Sequence, residues 1–345
     1  MSQMKSHGSI LIVAMFAMAV LSLIAVSFAY RAGLYCREER GLQIMTKLQT
    51  HASSAIAIAL GRLLENENEF DHRAESWCTH NPLSAEGWLS EWEVPVDASA
   101  AYDTNYYVID EESKLNLSFA SSEAFQKLGL SDAQIACLID WTDSDSIAQA
   151  DGAETAFYQN RAIPYLCKNA PIEVLSELLL IKNFAAKDYF GEDINHNVIL
   201  DPSEDDGPVS FPIDNSDGQL DSGLVDVLTS YGSGKININT AHPEVLKTLP
   251  ITEESVDQIL AFRAFDQDTN GNLEDHVFKS ATDIEQLQGV SEIDKATLVA
   301  IAIFRSSYFR IFAVANHLPT QMQYRLEVVV CQKEGKIEIL EWRTW

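Results

Sequence analysis

From Ser9 to Tyr30 the chain runs for about 22 residues, SILIVAMFAMAVLSLIAVSFAY, with no charged side chain and no proline. A helix of that length spans a hydrocarbon core of roughly 30 Å. The helical pattern then continues. Between Tyr35 and Leu64 apolar residues recur at three- and four-residue spacing, again without proline, which predicts one helix of about 55 residues whose first half lies in a membrane. Gly33 and Gly41 are weak points within it rather than ends, since an isolated glycine costs a helix only about 1 kcal/mol. A cleaved secretory signal fits less well, because its apolar part covers about 7–15 residues and unrelated sequence follows.

Lys5 precedes the apolar run and Arg31, Arg37 and Arg40 follow it, so flanking charge alone leaves the orientation open. The rest of the chain is more informative. Its 51 Asp and Glu against 24 Lys and Arg give a formal net charge of −27, with the acids almost wholly after residue 60. Such a body is repelled by nucleic acid and by anionic membrane surfaces. A short stub inside and a large acidic domain outside is the economical topology. The five cysteines are too scattered for a disulfide framework or a zinc site. Cys137 and Cys167 fall in one helical region and could pair in an oxidising compartment, although buried free thiols are the simpler reading.

The pattern divides the remainder. Residues 66–118 and 304–345 alternate apolar and polar side chains, as in GWLSEWEVP, NYYVIDEESKLNLS, YFRIFAVANHL and QYRLEVVVCQ, which predicts strands of one antiparallel sheet. Residues 119–303 carry helical periodicity, with Ser122 and Ser131 as cap residues. The expected fold is therefore α+β: a long N-terminal helix (9–65, transmembrane over 9–30), a sheet, and an inserted, mostly helical domain. That domain is read as a first unit over 119–190, a linker over 191–230 and a second unit over 231–303.

Acidic loops punctuate the insert. DINHNVILDPSE places Asp193, Asn195, Asn197, the Ile199 carbonyl, Asp201 and Glu204 at positions 1, 3, 5, 7, 9 and 12 of an EF-hand-like loop. Val198 stands where a glycine normally makes the sharp turn, so an altered backbone or weaker site is expected. Asp140, Asp143, Asp145 and Glu154 flank another loop, readable as calcium ligands or as a solvated acidic face. In DQDTNGNLEDHV, Asp266, Asp268, Asn270 and Glu274 fit the first nine positions, but Val277 replaces the bidentate carboxylate, so a solvated loop is preferred there. DNSDGQLDSG from Asp214 is a fainter echo. Calcium, taken by hard oxygen ligands, is the one cofactor expected.

YGSGKININTAHPEVLKTLPITEESVDQILAFR resembles a helix-hairpin-helix or SAM-like unit. The DNA-binding versions present backbone amides to phosphate from a glycine hairpin. Here the hairpin has no glycine and carries Glu253 and Glu254, which opposes nucleic acid. Nor does the sequence hold a histidine pair at ligand spacing, a phosphate-binding glycine loop or a nucleophile elbow, so no enzyme is expected.

The basic stub ending in Gly8 before the apolar helix resembles a type IV prepilin leader (residues 1–8), in which a membrane peptidase cuts after the glycine and methylates the new amino terminus, here Ser9. Most pilins and pseudopilins have glutamate at the fifth mature position, where this chain has Val13. That departure resembles the K-type minor pseudopilin of type II secretion. IDWTDSD, DGAETAFY and PYLCKNAPIEVLSELLLI, within Ile139–Ile181, resemble the same subfamily's signature, and DEESKLNLS its strand-to-helix junction. The resemblance implies a pilin-type sheet, calcium in the helical domain and a single-pass inner-membrane protein with its C-terminal domain in the periplasm. It also implies a place at the tip of the pseudopilus with I- and J-type minor pseudopilins, above the major pseudopilin. Prepilin peptidase is then a further partner, and secreted cargo or the secretin are candidate contacts. Two alternatives stay open: a bitopic calcium-binding surface protein with an uncleaved signal anchor, and a DNA-uptake pseudopilin.

Leader processing separates the anchor reading from the pilin-like one. Mass spectrometry of the protein from membranes with active prepilin peptidase is expected to find an N-methylated amino terminus at Ser9, and a bulky substitution at Gly8 to abolish it. Chains that all begin at Met1 would refute the leader.

Overall fold

The computed structural model describes residues 7–73, 75–78, 101–192, 200, 202, 204–209, 214–263 and 276–344. Helix α1 (His7–Glu65) is continuous for 59 residues, through Gly33 and Gly41, and about 90 Å long at the usual rise per residue. Its apolar half is long and apolar enough to cross a membrane, with a mean hydropathy of 2.8, and its side chains there stand exposed, among them Phe16, Leu23 and Phe28. The other half is packed. Ile44, Leu48, Ala52, Ala55, Ile56, Ala59 and Leu63 form one buried stripe at three- and four-residue spacing.

The stripe lies on a sheet made of β1 (Tyr102–Asp110) and three C-terminal strands. Between β1 and those strands come β2 (Leu115–Asn116), α2 (Ser122–Lys127), α3 (Asp132–Thr142), α4 (Thr155–Tyr158), α5 (Ala186–Phe190) and α6 (Leu224–Val227). They are followed by β3 (Leu228–Thr229), β4 (Ile236–Asn237), α7 (Pro243–Thr248), α8 (Glu253–Arg263), α9 (Ala281–Gln286), α10 (Glu292–Ile301) and β5 (Ala302–Ile303). The chain then returns through β6 (Tyr308–His317), β7 (Met322–Lys333) and β8 (Lys336–Thr344). The four long strands are antiparallel in the order β1-β6-β7-β8.

Register follows from the period of two. Val108, Ile311 and Val328 stand opposite one another, as do Tyr106, Ala313 and Leu326, and all six face the α1 stripe. Alanines on both surfaces, Ala52, Ala55 and Ala59 against Ala313 and Ala315, let helix and sheet approach closely. Trp77 closes one end, edge-on to Phe309 at 5.1 Å.

Several local details differ from the sequence reading. Ser121, not Ser122, caps α2 through its bond from Ala124 N–H, while Ser131 caps α3 in a reciprocal bond with Gln134. Leu115–Asn116 pairs in parallel with Leu228–Thr229, so this piece joins the helical part rather than the four-stranded sheet. The same part holds a second parallel pair, Ile236–Asn237 with Ala302–Ile303. Trp77 sits in a turn, and the strand expected around GWLSEWEVP falls on residues 79–100, outside the described residues. All five cysteines are free thiols, Cys137 and Cys167 buried ones.

Alternate residues of β6 point away from α1, and there the sheet meets the helical part. Three successive acids, Asp110, Glu111 and Glu112, are buried at this junction. Arg310 on β6 donates to Glu111 Oε1 at 2.6 Å and also pairs with Glu327 on β7. Glu111 further accepts from Thr229 on β3, and Lys114 lies 3.4 Å from it while donating to the Val225 carbonyl at 2.8 Å. Burial alone raises the Glu111 carboxyl; Arg310 and Lys114 overcome that and hold it at about 2, while the two glutamates hold the guanidinium firmly charged against its own burial. The folded value lies below the ordinary one, so this stabilisation is present at neutral pH and lost as pH falls toward about 2. Removing one partner strands the other charge. Glu111→Gln is expected to lower the unfolding free energy of the full chain in detergent by about 3–5 kcal/mol, read from guanidinium denaturation; a loss near zero would mean the cluster is incidental.

Candidate metal centre

The Ile139–Ile181 stretch folds into a knot of aromatic packing with an acidic pocket on its rim. Trp141 at the end of α3 meets Tyr158 edge-on at 5.2 Å, and Tyr158, fully buried, stacks on Tyr165. Trp141 Nε1 donates to Glu177 at 3.4 Å, and Lys168 Nζ to the same carboxylate at 2.7 Å. The sequence motif is thus first a packing motif.

Helix α3 ends at Thr142, and its exit brings together acids that are distant from Glu154 in sequence. Carboxylate oxygens of Asp143, Asp145 and Glu154 lie within 4.8 Å of one another, the one such group among the described residues. Asp140 takes another role. Its buried carboxylate accepts from Gln149 N–H at 3.2 Å, and Gly152 lies so close that any Cβ there would collide with it. It braces the loop that carries the other acids.

Glu154 is the N-cap of α4 and accepts from Thr155 N–H at 3.3 Å through Oε2. Its Oε1 is buried without a hydrogen-bond partner. Burial raises the Glu154 carboxyl, the Thr155 N–H partly offsets this, and Asp140, Asp143 and Asp145 push it further up. A second orphan acceptor is Asn169 Oδ1, buried and unpartnered, on a side chain whose Nδ2 is tied to the Asp145 carbonyl. Sequence reading did not single out Asn169; its signal was the Asn-Ala-Pro turn, where Asn169 takes a positive φ of 48°. Unpaired buried acceptors cost free energy, and oxygen donors of the kind that Asp143, Asp145 and Glu154 bring together are those that hard cations take.

The EF-hand-like ligands Asp193, Asn195, Asn197, Ile199 and Asp201 lie outside the described residues, as do Asp266, Asp268, Asn270 and Glu274. Glu204 is described and buried. The ends of this loop region are clamped where Gly191 and Gly223 pass in backbone contact, leaving no room for a side chain on either. Nearby, the weaker echo from Asp214 satisfies itself: Asp214 accepts from the Asp206, Gly207 and Ser216 N–H groups, and Glu192 from those of Asn215 and Asp221.

At the hairpin between α7 and α8, Glu253 and Glu254 are exposed, while Asp294 from α10 accepts from Thr252 and from Ser255 at 2.6 Å. An acid therefore occupies the inner side of that turn as well.

Residues 112–190 match the first domain of the family described as type II secretion system (T2SS), protein K. No curated protein matches the chain. Among solved structures, a chain of the GspK-GspI-GspJ complex from the enterotoxigenic Escherichia coli type 2 secretion system matches with a TM-score of 0.56 at 15% identity, covering 89% of this chain and 99% of that one. The matched segment runs from the buried acids at the junction through the aromatic knot and the acidic pocket, so residues 112–190 are similar to the first domain of type II secretion system protein K, and they lie within a fold similar to that of the chain from the GspK-GspI-GspJ complex.

Proposed function

We propose that this chain is a K-type minor pseudopilin at the tip of the type II secretion pseudopilus, where it joins I- and J-type minor pseudopilins, nucleates assembly above the major pseudopilin and supports protein export across the outer membrane. The observation that carries the reading is the shape of the match: a K-family segment within a fold shared, over nearly its whole length, with a chain from a K–I–J complex. The apolar half of α1 projects with its side chains exposed, as a helix does that anchors in the inner membrane and later packs beside its neighbours. Val13 adds to this. A carboxylate in hydrocarbon costs about 2.5–3.5 kcal/mol on insertion scales unless a neighbour pairs with it, and a subunit with nothing above it has no use for one. The C-terminal domain then stands in the periplasm, where secreted cargo and the secretin are within reach. Co-expressed with I- and J-type partners, the full chain is expected to elute with both as one complex. An I–J pair that forms and leaves this chain behind would overturn the assignment.

Calcium belongs to the same reading. Asp143, Asp145 and Glu154 would hold one ion and so pin the loop after α3 to the start of α4; the Asp193–Glu204 ligands would hold another and order a self-repelling acidic stretch. Bound calcium supplies positive charge and nothing else, so its effect is on stability: about 2.7 kcal/mol at one hundred times Kd. Because burial and the neighbouring acids raise the Glu154 carboxyl, calcium competes with a proton there, and affinity at this site should increase with pH. Thermal melting of the full chain with calcium and with chelator should differ, with Glu154→Gln and Glu204→Ala each removing part of the shift. Identical melting with and without calcium would leave both acidic sites as solvated loops.

A further inference from the structure

Two covalent connections join the helical part to the sheet. The outgoing one leaves β1 at Asp110, and the returning one enters β6 at Tyr308. A single polar cluster ties the two together. Ser306, on the returning connection, donates its N–H to Asp71 Oδ2 at 2.6 Å and its hydroxyl to Asp110 Oδ2 at 2.7 Å. Asp110 also accepts from Thr240 Oγ1 at 2.5 Å, Asn237 Nδ2 at 3.1 Å and Glu112 N–H at 2.8 Å. Asp71, on the segment leaving α1, accepts from Asn66 Nδ2 at 2.8 Å and donates its own N–H to the Phe304 carbonyl at 2.7 Å.

These two carboxyl groups are 1% and 4% exposed, and the charges around them do not balance. Asp71 faces Asp110, Glu75 and Arg305; Asp110 faces Glu112 and Arg73. Both arginines direct their hydrogen bonds elsewhere, Arg73 to the Thr240 carbonyl at 2.7 Å and Arg305 to that of Asn66 at 3.2 Å. Glu75 is held by Asn66, Trp77 and the His72 N–H. One serine therefore bridges two buried carboxyl groups with no ion pair of their own among the described residues.

We propose that Asp71, Ser306 and Asp110 form a proton-operated latch at the root of the helical part, closed while at least one of the two carboxyl groups is protonated and loosened when both are charged. With the proton in place, Ser306 ties the two acids together, its backbone N–H on Asp71 and its hydroxyl on Asp110. When it leaves, like charges in a dry space repel, this repulsion works against the two bonds from Ser306, and the helical part gains freedom relative to the sheet. The Arg310–Glu111 cluster next to it keeps its charges throughout and acts as the pivot.

The charge states agree with this. Burial drives Asp71 up to about 7 and Asp110 up to about 6; the Ser306 N–H opposes the first shift, and the Thr240 and Ser306 hydroxyls oppose the second. Both folded values lie above the ordinary 3.8. The stability the pair contributes is thus complete below about pH 4 and is lost as pH rises through about 6 and about 7.

Hydrogen exchange on the full chain in detergent tests the latch. After correction for intrinsic exchange, amide protection in peptides covering 105–114 and 302–310 should fall between about pH 5.5 and about pH 8, by up to about tenfold per pH unit for each proton released, while β7 stays unchanged. Asp71→Asn should flatten the dependence. Should that variant not fold, Ser306→Ala serves: losing a donor to the charged form of Asp110 should move the transition to higher pH. Equal protection at both pH values in the wild type overturns the proposal, as does an unchanged pH dependence in whichever variant folds.

Discussion

A guanidinium and the carboxylates around it leave water only where each finds the other; broken, such a group costs several kcal/mol. Arg310 meets that condition by pairing with Glu111 and Glu327 while its guanidinium faces the Tyr231 ring. Thr229 and Lys114 complete the shell, and Tyr231 continues it through a 2.8 Å bond to Glu341. The contributors come from β6, β7, β8, the segment between β1 and β2, β3 and the turn after it. The cluster forms only when the sheet and the helical part are docked in one geometry, so it sets their relative placement more than it adds stability. Both connecting segments are anchored within a few residues of it, which allows one junction to serve as pivot and latch.

The long helix works under two different constraints. Its N-terminal half obeys the solvent it is built for, a hydrocarbon layer, and presents apolar side chains all round. Its C-terminal half obeys packing: a stripe with alanines at its centre, matched by alanines on β6. Nothing interrupts the backbone between them, so any force on the anchored half is transmitted along a stiff rod to the sheet and through it to the ionic junction.

Acids in so negative a chain serve separate ends. Some cap helices or brace loops, as Asp140 does for Gln149; some fold back on backbone amides, as Asp214 does; Asp143, Asp145 and Glu154 converge on one another; Asp71 and Asp110 share a serine. Sequence pattern found the second and third of these groups, because loop acids at alternate positions can be read off the chain. It gave no sign of the fourth. Asp71 and Ser306 are separated by 235 residues, and neither has a motif.

The sequence by itself determined the long helix, its division into membrane and packed halves, the strands after residue 304 and the mostly helical stretch between, because periods of two and 3.6 are local properties of the chain. The K-type resemblance, too, rested on contiguous residues, now seen as an aromatic core around Tyr158. Tertiary structure alone decided which acids meet. DEES read as part of a strand-to-helix junction, yet Asp110, Glu111 and Glu112 are each buried with different partners; of the four acids around the loop after α3, three converge and Asp140 braces the loop instead. Burial and pairing of charge depend on what arrives from far along the chain, and no local period encodes that.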